Sequence, residues 1–488
     1  MEKLDIVFIN PGNRKVVFQD LGKDVTAIEP PYLTLSFATY LQQQGLHVKI
    51  IDANAENISP DEVAQHVKSL NPVLVALIVY GNQPSASTQN MSIAGEIARA
   101  IKEESTLPIV MGGLHPSALP KRTLEEECVD YVIEGEEQLA LWALFKALKG
   151  EQTLTEVEGL WYVDQGEVKN NPRGALIQNL DDVMPIANWD LLDMKKYRAH
   201  NWHCFDDIFH RTPYAAIYTS LGCPYHCTFC CINAPFGKST IRYRSPALIV
   251  EELEMLNKKY GVRNVKFIDE MFVLHESHYM AIVDLIIERG LDLNIWCYAR
   301  VDTVKFDTLK RMKQAGINWL ALGIESANAD VRDGASKKMR VSDIKERVEA
   351  IQAAGIHVIG NYIFGLPDDT LDSMNETLTM AKELNTEFAN FYCAMAYPGS
   401  MLYKIALKEG LELPVEWIGY SQHAYSMQPL PSKHVSAKEI VKFRDNAFHE
   451  YFENPIYLDM LVEKFGVDVK KHMQEISQTK LQRRILQE

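Results

Sequence analysis

Leu221-Gly222-Cys223-Pro224-Tyr225-His226-Cys227-Thr228-Phe229-Cys230 is the stretch on which the reading of this chain turns. Three cysteines stand in the spacing C-x3-C-x2-C, and a fourth, Cys231, follows at once. The apolar run over 215–220 predicts a strand, so the loop leaves a strand end. Thiolates are the usual ligands of iron–sulfur clusters. Three of them hold three corners of a four-iron (4Fe-4S) cluster and leave one iron open, and an open position is what a catalytic metal centre needs. Structural zinc is the alternative. It requires a fourth ligand, which Cys231, His226 or Cys204 would have to supply, because no second C-x2-C pair lies downstream.

Outward from this loop, strand and helix patterns alternate. Strands are expected over 215–220, 265–268, 295–299, 319–324, 358–364 and 388–394, with helices over 249–260, 279–289, 342–354 and 372–384. Such a series, within 212–400, predicts a partial (β/α)6 barrel whose site lies at the C-terminal strand ends. Residues 1–150 show the same rhythm. Strands over 4–9, 48–51, 73–80, 108–111 and 131–133 alternate with helices over 33–44, 60–70, 92–104, 119–128 and 138–148. That pattern predicts an α/β, doubly wound parallel sheet with ligands over its carboxyl ends. Between 151 and 211 the rhythm breaks around a hairpin (159–163 and 167–169), which reads as a linker or bridging module. Residues 401–488 read as a mainly helical region that caps the barrel and sets specificity.

Length and composition agree with several domains and no staples. The chain has 488 residues, 47% of them apolar and 24% charged. At roughly 100–200 residues per domain this means two to four domains, large enough to fold without disulfides. The formal charge of -15 argues against a nucleic-acid partner, which selects a basic face. Apolar runs such as 72–80 are too short to span a bilayer, and Met-Glu-Lys-Leu-Asp lacks a signal-peptide pattern. A soluble, cytoplasmic protein is expected. Four of the eight cysteines fall within nine residues, which in a reducing compartment points to metal or catalysis.

With Phe229 in its aromatic position, the cysteine loop resembles the signature of the radical S-adenosylmethionine (SAM) superfamily, and the likeness extends over roughly 214–400. The resemblance implies that Cys223, Cys227 and Cys230 hold a 4Fe-4S cluster whose open iron chelates SAM. It implies cleavage of SAM to a 5′-deoxyadenosyl radical, with an electron donor such as flavodoxin or ferredoxin. Later strand ends match the family's SAM-binding segments. They bring Phe229, Asp269, Glu270, Arg300, Glu325, Ser326, Ile363 and Tyr397 into the expected SAM site. Carboxylates there suit the ammonium of SAM, and the Arg300 guanidinium suits its carboxylate.

Residues 1–150 in turn resemble the cobalamin-binding domain that precedes some radical SAM barrels. The likeness rests on Pro30-Pro31-Tyr32-Leu33, Ile51-Asp52-Ala53-Asn54, Met111-Gly112-Gly113-Leu114-His115-Pro116 and Val132-Ile133-Glu134-Gly135-Glu136. It implies a cobalamin site formed by Asn10, Gly12, Asn54, Tyr80, Gly81, Asn82, Gln83, Ser85, Gly112, Gly113, His115, Glu134 and Gly135. The cobalt-ligating pattern Asp-x-His-x-x-Gly is absent, since His47, His66 and His115 lack an Asp two places earlier. The resemblance then places the lower face of cobalt against Tyr80, Asn82 and Gln83. The function it implies is methylation of an unactivated carbon of a small molecule through methylcobalamin. A non-methylating oxidative cyclase or ring-rearranging enzyme is the alternative, and a zinc-stabilised binding protein is the alternative of another class. Trp202, Tyr392, Tyr397 and Trp417 are candidate pocket aromatics.

Overall fold

The computed structural model describes residues 4–81, 84–337 and 339–487. Its first sheet grows from the apolar runs Ile6–Asn10 (β1), Val48–Asp52 (β2), Leu74–Val79 (β3), Ile109–Gly113 (β4) and Tyr131–Ile133 (β5), all parallel. Every residue of β3 is buried, as in a strand covered on both faces. The order β2-β1-β3-β4-β5 reverses its winding between β1 and β3. Loops leaving those two strands diverge and open a crevice, the place where doubly wound sheets take ligands.

The hairpin expected in the bridging stretch belongs to this sheet. Leu160–Asp164 (β6) pairs antiparallel with β5, with Ile133 opposite Leu160, and Glu167–Asn170 (β7) completes the edge. The edge of β5 would otherwise present unpaired backbone groups, which the hairpin satisfies.

All six barrel strands form. Tyr214–Ile217 (β8), Asn264–Phe267 (β11), Asn294–Arg300 (β12), Ile317–Glu325 (β13), His357–Phe364 (β14) and Phe388–Cys393 (β15) make one parallel sheet in the order β15-β14-β13-β12-β11-β8. It is a curled half-barrel. One boundary differs from expectation. The first barrel strand stops at Ile217, and Ser220–Cys223 (β9) pairs instead with Thr240–Tyr243 (β10) as a separate antiparallel ribbon. Asp269 causes the break: its carboxylate accepts Thr219 N (2.6 Å), Thr219 Oγ1 (2.5 Å) and Ser220 Oγ (2.5 Å), drawing the chain out of the sheet.

One apolar core runs from the first sheet through the helix Tyr32–Gln43 into the barrel. That helix is buried from Tyr32 to Leu41, as an element packed on all sides must be. The bridging stretch supplies the barrel floor. Trp202 packs against Trp296, Trp319 and Phe388 at centroid distances of 5.1, 5.5 and 5.7 Å. It also contributes Trp189 to a buried polar knot. Glu252 accepts hydrogen bonds from Tyr32 Oη (3.0 Å), Arg244 Nη2 (2.8 Å), Trp189 Nε1 (3.0 Å) and Ala187 N (3.3 Å). These donors come from the first domain, the barrel and the bridge, so one carboxylate ties all three. Beyond residue 400 the chain is mainly helical, as expected, with Met401–Glu409, Ala437–Phe452, Pro455–Phe465 and Val467–Ser477. Among the described residues no helix is long and apolar enough to cross a membrane.

Candidate active site

Gly222 sets the approach of the cysteine loop. Its φ is +91°, and a Cβ there would stand 2.3 Å from Thr240 O, so only glycine lets the ribbon close directly before Cys223. Asn233 then pins the loop. It accepts Cys223 N (3.2 Å) and donates to Cys223 O (2.9 Å). Further on, Cys230 N donates to Cys227 O (3.1 Å), and Thr228 is held between Ala335 O and Leu402 N. All eight cysteines are free thiols. Burial pushes the Cys223 thiol up to about 11 and raises Cys227 and Cys230 as well. These thiols therefore stay neutral at pH 7 until a metal replaces the proton, and loading releases protons. Among the described residues no group of three His, Cys, Asp or Glu side chains is arranged to hold one metal ion. Cluster thiolates each bind a different iron and need not converge on a point. The donor set suits a cluster.

Charged residues at the barrel strand ends face this loop. Arg300, ending β12, stacks 4.1 Å over the Tyr225 ring and binds Asp302 through Nε (2.9 Å) and Nη2 (3.0 Å). Glu325 ends β13 with φ +67°, at a register shift between Gly323 and Glu325. A non-glycine residue in that region stores strain, and a bulge re-aims the side chain. Here it directs Glu325 to a buried ion pair with Lys337. Lys337 and Arg300 lower the pKa of Cys227, and Glu325 raises it, so all three act on that thiol. Phe229 packs on Val331, Ala335 and Leu366, and Ile363 joins the same cluster.

Other expected SAM residues have protein partners. Asp269 is filled by Thr219 and Ser220. Ser326 contacts Thr377 (3.2 Å) and the backbone of Asn328. Tyr397 Oη donates to Tyr420 O (3.3 Å). Glu270, by contrast, opens on a small pocket with Tyr80, Glu137 and Tyr218, and burial pushes its carboxyl up to about 7.

The two series of strand ends face each other across a cavity of about 280 Å³. Asn10, Asn54, Tyr80 and Gly81 line it from the first domain, and Tyr218, Trp296, Tyr298 and Tyr392 from the barrel. Gly12 lies against Asn54, where a Cβ would meet that side chain at 2.5 Å. Gly112, Gly113, His115, Glu134 and Gly135 are not among the residues lining this cavity. Gly113 (φ +137°) packs so closely that a Cβ would meet Val79 O at 2.2 Å. Gly112 adjoins Glu137. His115 contacts Thr88 Oγ1 at 3.2 Å and lies 4.4 Å from the Trp417 ring centroid. Glu134 binds Arg173 (2.8 Å) and Trp161 Nε1 (2.7 Å), and Gly135 N donates to Ser117 Oγ (3.1 Å). Asn82, Gln83 and the Ser85 side chain lie outside the described residues.

The radical SAM superfamily profile matches residues 217–381, and the B12 binding domain profile matches residues 20–145. An uncharacterized methyltransferase of Pyrococcus horikoshii is 30% identical over 475 residues, covering 96% of this chain and 97% of that one. The chain belongs to the cobalamin-binding radical SAM family. The anaerobic magnesium-protoporphyrin IX monomethyl ester cyclase of Cereibacter sphaeroides is 24% identical over 92% of this chain and 70% of its own. Among solved structures, the radical SAM methyltransferase TsrM of Kitasatospora setae shares the fold, with TM-score 0.69 and 18% identity, over 93% of this chain and 90% of that one. This radical SAM enzyme therefore has a 4Fe-4S cluster, SAM and cobalamin as its cofactors.

In this cobalamin-binding radical SAM enzyme, several site residues escaped sequence reasoning: Tyr225, Asn233, Lys337 and Glu137. Tyr225 and Asn233 had a usable signal, being within or three residues beyond the cysteine loop. Lys337 and Glu137 had none. Glu137 is buried, accepts Tyr80 Oη at 3.0 and 3.1 Å, and is pushed up to about 8 by burial. The folded state thus holds a proton that the unfolded chain, with a pKa of 4.5, releases. Stability from this group is complete below pH 4.5 and is lost as pH rises through 8, by up to about 1.4 kcal/mol per pH unit. Glu137→Gln should raise the thermal midpoint at pH 8.5, leave it unchanged at pH 4.5, and flatten the slope between. Parallel melting curves for the two proteins across that range would contradict the argument.

Proposed function

We propose that this enzyme methylates an unactivated carbon of a small molecule, with Cys223, Cys227 and Cys230 holding the cluster. The supporting observation is the shared cavity, lined at once by the strand ends of the first domain and by the barrel lumen. A reaction that draws on two carriers gains most when its substrate is held between them. When bound, the cluster with SAM supplies a radical that abstracts hydrogen, and cobalamin supplies the methyl group. The chain's own work is to position and to exclude water. Arg300, Glu325 and Glu270 present charges suited to the carboxylate and ammonium of SAM. Tyr218, Trp296, Tyr298 and Tyr392 offer an aromatic wall to the substrate. Residues 401–488 set specificity, because Gln422, His423, Arg444 and Phe448 close the same cavity.

Similarity to a methyltransferase over nearly the whole chain favours this reading. Similarity to the cyclase supports a second one, in which radical oxidation closes a ring without methyl transfer. Methyl-labelled SAM separates them, supplied with a metabolite extract and reduced flavodoxin or ferredoxin without oxygen. Labelled product together with S-adenosylhomocysteine is expected. 5′-Deoxyadenosine alone would replace methylation with the cyclase reading, and the absence of all three would remove both.

A further inference from the structure

Three formally charged side chains line the shared cavity: Arg14, Glu29 and Arg444. Two are answered within the protein. Glu29 faces Lys266 at 3.3 Å, and Arg444 binds Asp445 at 2.8 Å. Arg14 is not. Among the described residues it makes no hydrogen bond or ion pair, and its Nη1 is buried without a partner. Arg198 repels it, and Asp52 attracts it without bonding to it, since both Asp52 oxygens are taken by Asn10 Nδ2 (2.8 Å), Ala55 N (3.0 Å) and Tyr197 Oη (2.9 Å). Thr26, which also lines the cavity, has a buried hydroxyl with no partner among the described residues. A buried guanidinium nitrogen left without an acceptor is unfavourable, and pairing it with one relieves the cost.

We propose that Arg14, with Thr26 in the same lining, is an oxyanion receptor in the shared cavity, and that the oxyanion is a carboxylate or phosphate carried by the substrate. The proposal rests on the reading that this cavity takes the substrate. It narrows the substrate class to small molecules with an apolar or aromatic body and one anionic group. The body packs on Trp296, Tyr298 and Tyr392, which belong to the barrel, and the anion meets Arg14 of the first domain. A guanidinium suits the task because its planar donors pair with two oxygens at once. The nucleotide-loop phosphate of cobalamin offers the same chemistry and is the other possible source.

Phenyl phosphate, which combines an aromatic ring with an oxyanion, is the probe. Its binding to the cobalamin-loaded protein is followed by calorimetry and by quenching of tryptophan fluorescence, since Trp202 and Trp296 line the cavity. Arg14→Gln should weaken binding by roughly tenfold or more, the scale of one charge-assisted hydrogen bond, while retaining cobalamin. Arg14→Lys should keep most of the affinity. The fold should be unaffected, because Arg14 makes no bond to lose, and the melting curve of Arg14→Gln checks this. If Arg14→Gln instead loses cobalamin, the receptor stands but serves the phosphodiester of the cofactor. Equal phenyl phosphate binding and equal cobalamin content in both proteins would overturn the proposal. None of these readouts depends on methyl transfer, so the methylation reading and this one fail separately.

Discussion

Cys227→Ala protein, reconstituted without oxygen beside the wild type, will lose most of its iron. The wild type should hold about four irons per chain, as one four-iron cluster requires. Removing one of three thiolates leaves two protein ligands for a cluster that already has an open corner. Cys223→Ala and Cys230→Ala should behave alike, and SAM cleavage should fall to background in all three. Cys231→Ala is the internal control. Cys231 is 1% exposed and packed where a Cβ on Gly399 would lie 3.6 Å from its own, which is a core position. It should retain iron at the wild-type level. The fold is expected to survive, because Asn233 and the β9–β10 ribbon hold the loop through backbone atoms. Full iron in Cys227→Ala, or a single zinc per chain in the wild type, would return the loop to a structural role.

Glu252→Ala should cost about 3–5 kcal/mol, the range for breaking a buried ion pair by removing one partner. Arg244 and Glu252 side chains are both 0% exposed. Without the carboxylate, the guanidinium stays buried and uncompensated, and the Tyr32 hydroxyl, the Trp189 indole and the Ala187 amide lose their common acceptor. The damage reaches the junction of the first domain, bridge and barrel, so cobalamin retention should weaken along with the urea midpoint. A double change, Arg244→Met with Glu252→Met, should recover much of the loss because it removes both charges together. Should Glu252→Ala unfold at the wild-type urea concentration, the knot contributes nothing to stability.

Much of this was legible in the chain itself. The C-x3-C-x2-C loop and the βα rhythm are local signals, since one depends on spacing and the other on periodicity. They located all six barrel strands and the five parallel strands of the first sheet. Signals failed where a residue acts on a partner far along the chain. The hairpin 159–169 was legible as a hairpin but not as part of the first sheet, because its pairing with β5 is a tertiary contact. The bonds of the Asp269 carboxylate to Thr219 and Ser220, some fifty residues earlier, were not legible in the sequence. The protein partners of His115, Glu134 and Gly135 were likewise not legible, because they come from remote segments.

The sequence by itself determined the loop that suits the cluster and, through the resemblance its motifs carry, the family and the cofactor set, because motifs and their spacing are properties of neighbouring residues. Only the tertiary structure decided which polar groups are spent and which remain for a ligand. Arg14 and Arg444 are the same residue type and line the same cavity. Arg444 Nε donates to Phe391 O (2.7 Å), far along the chain, whereas Arg14 Nη1 is buried without an acceptor among the described residues, a distinction made by how distant segments pack around the shared cavity.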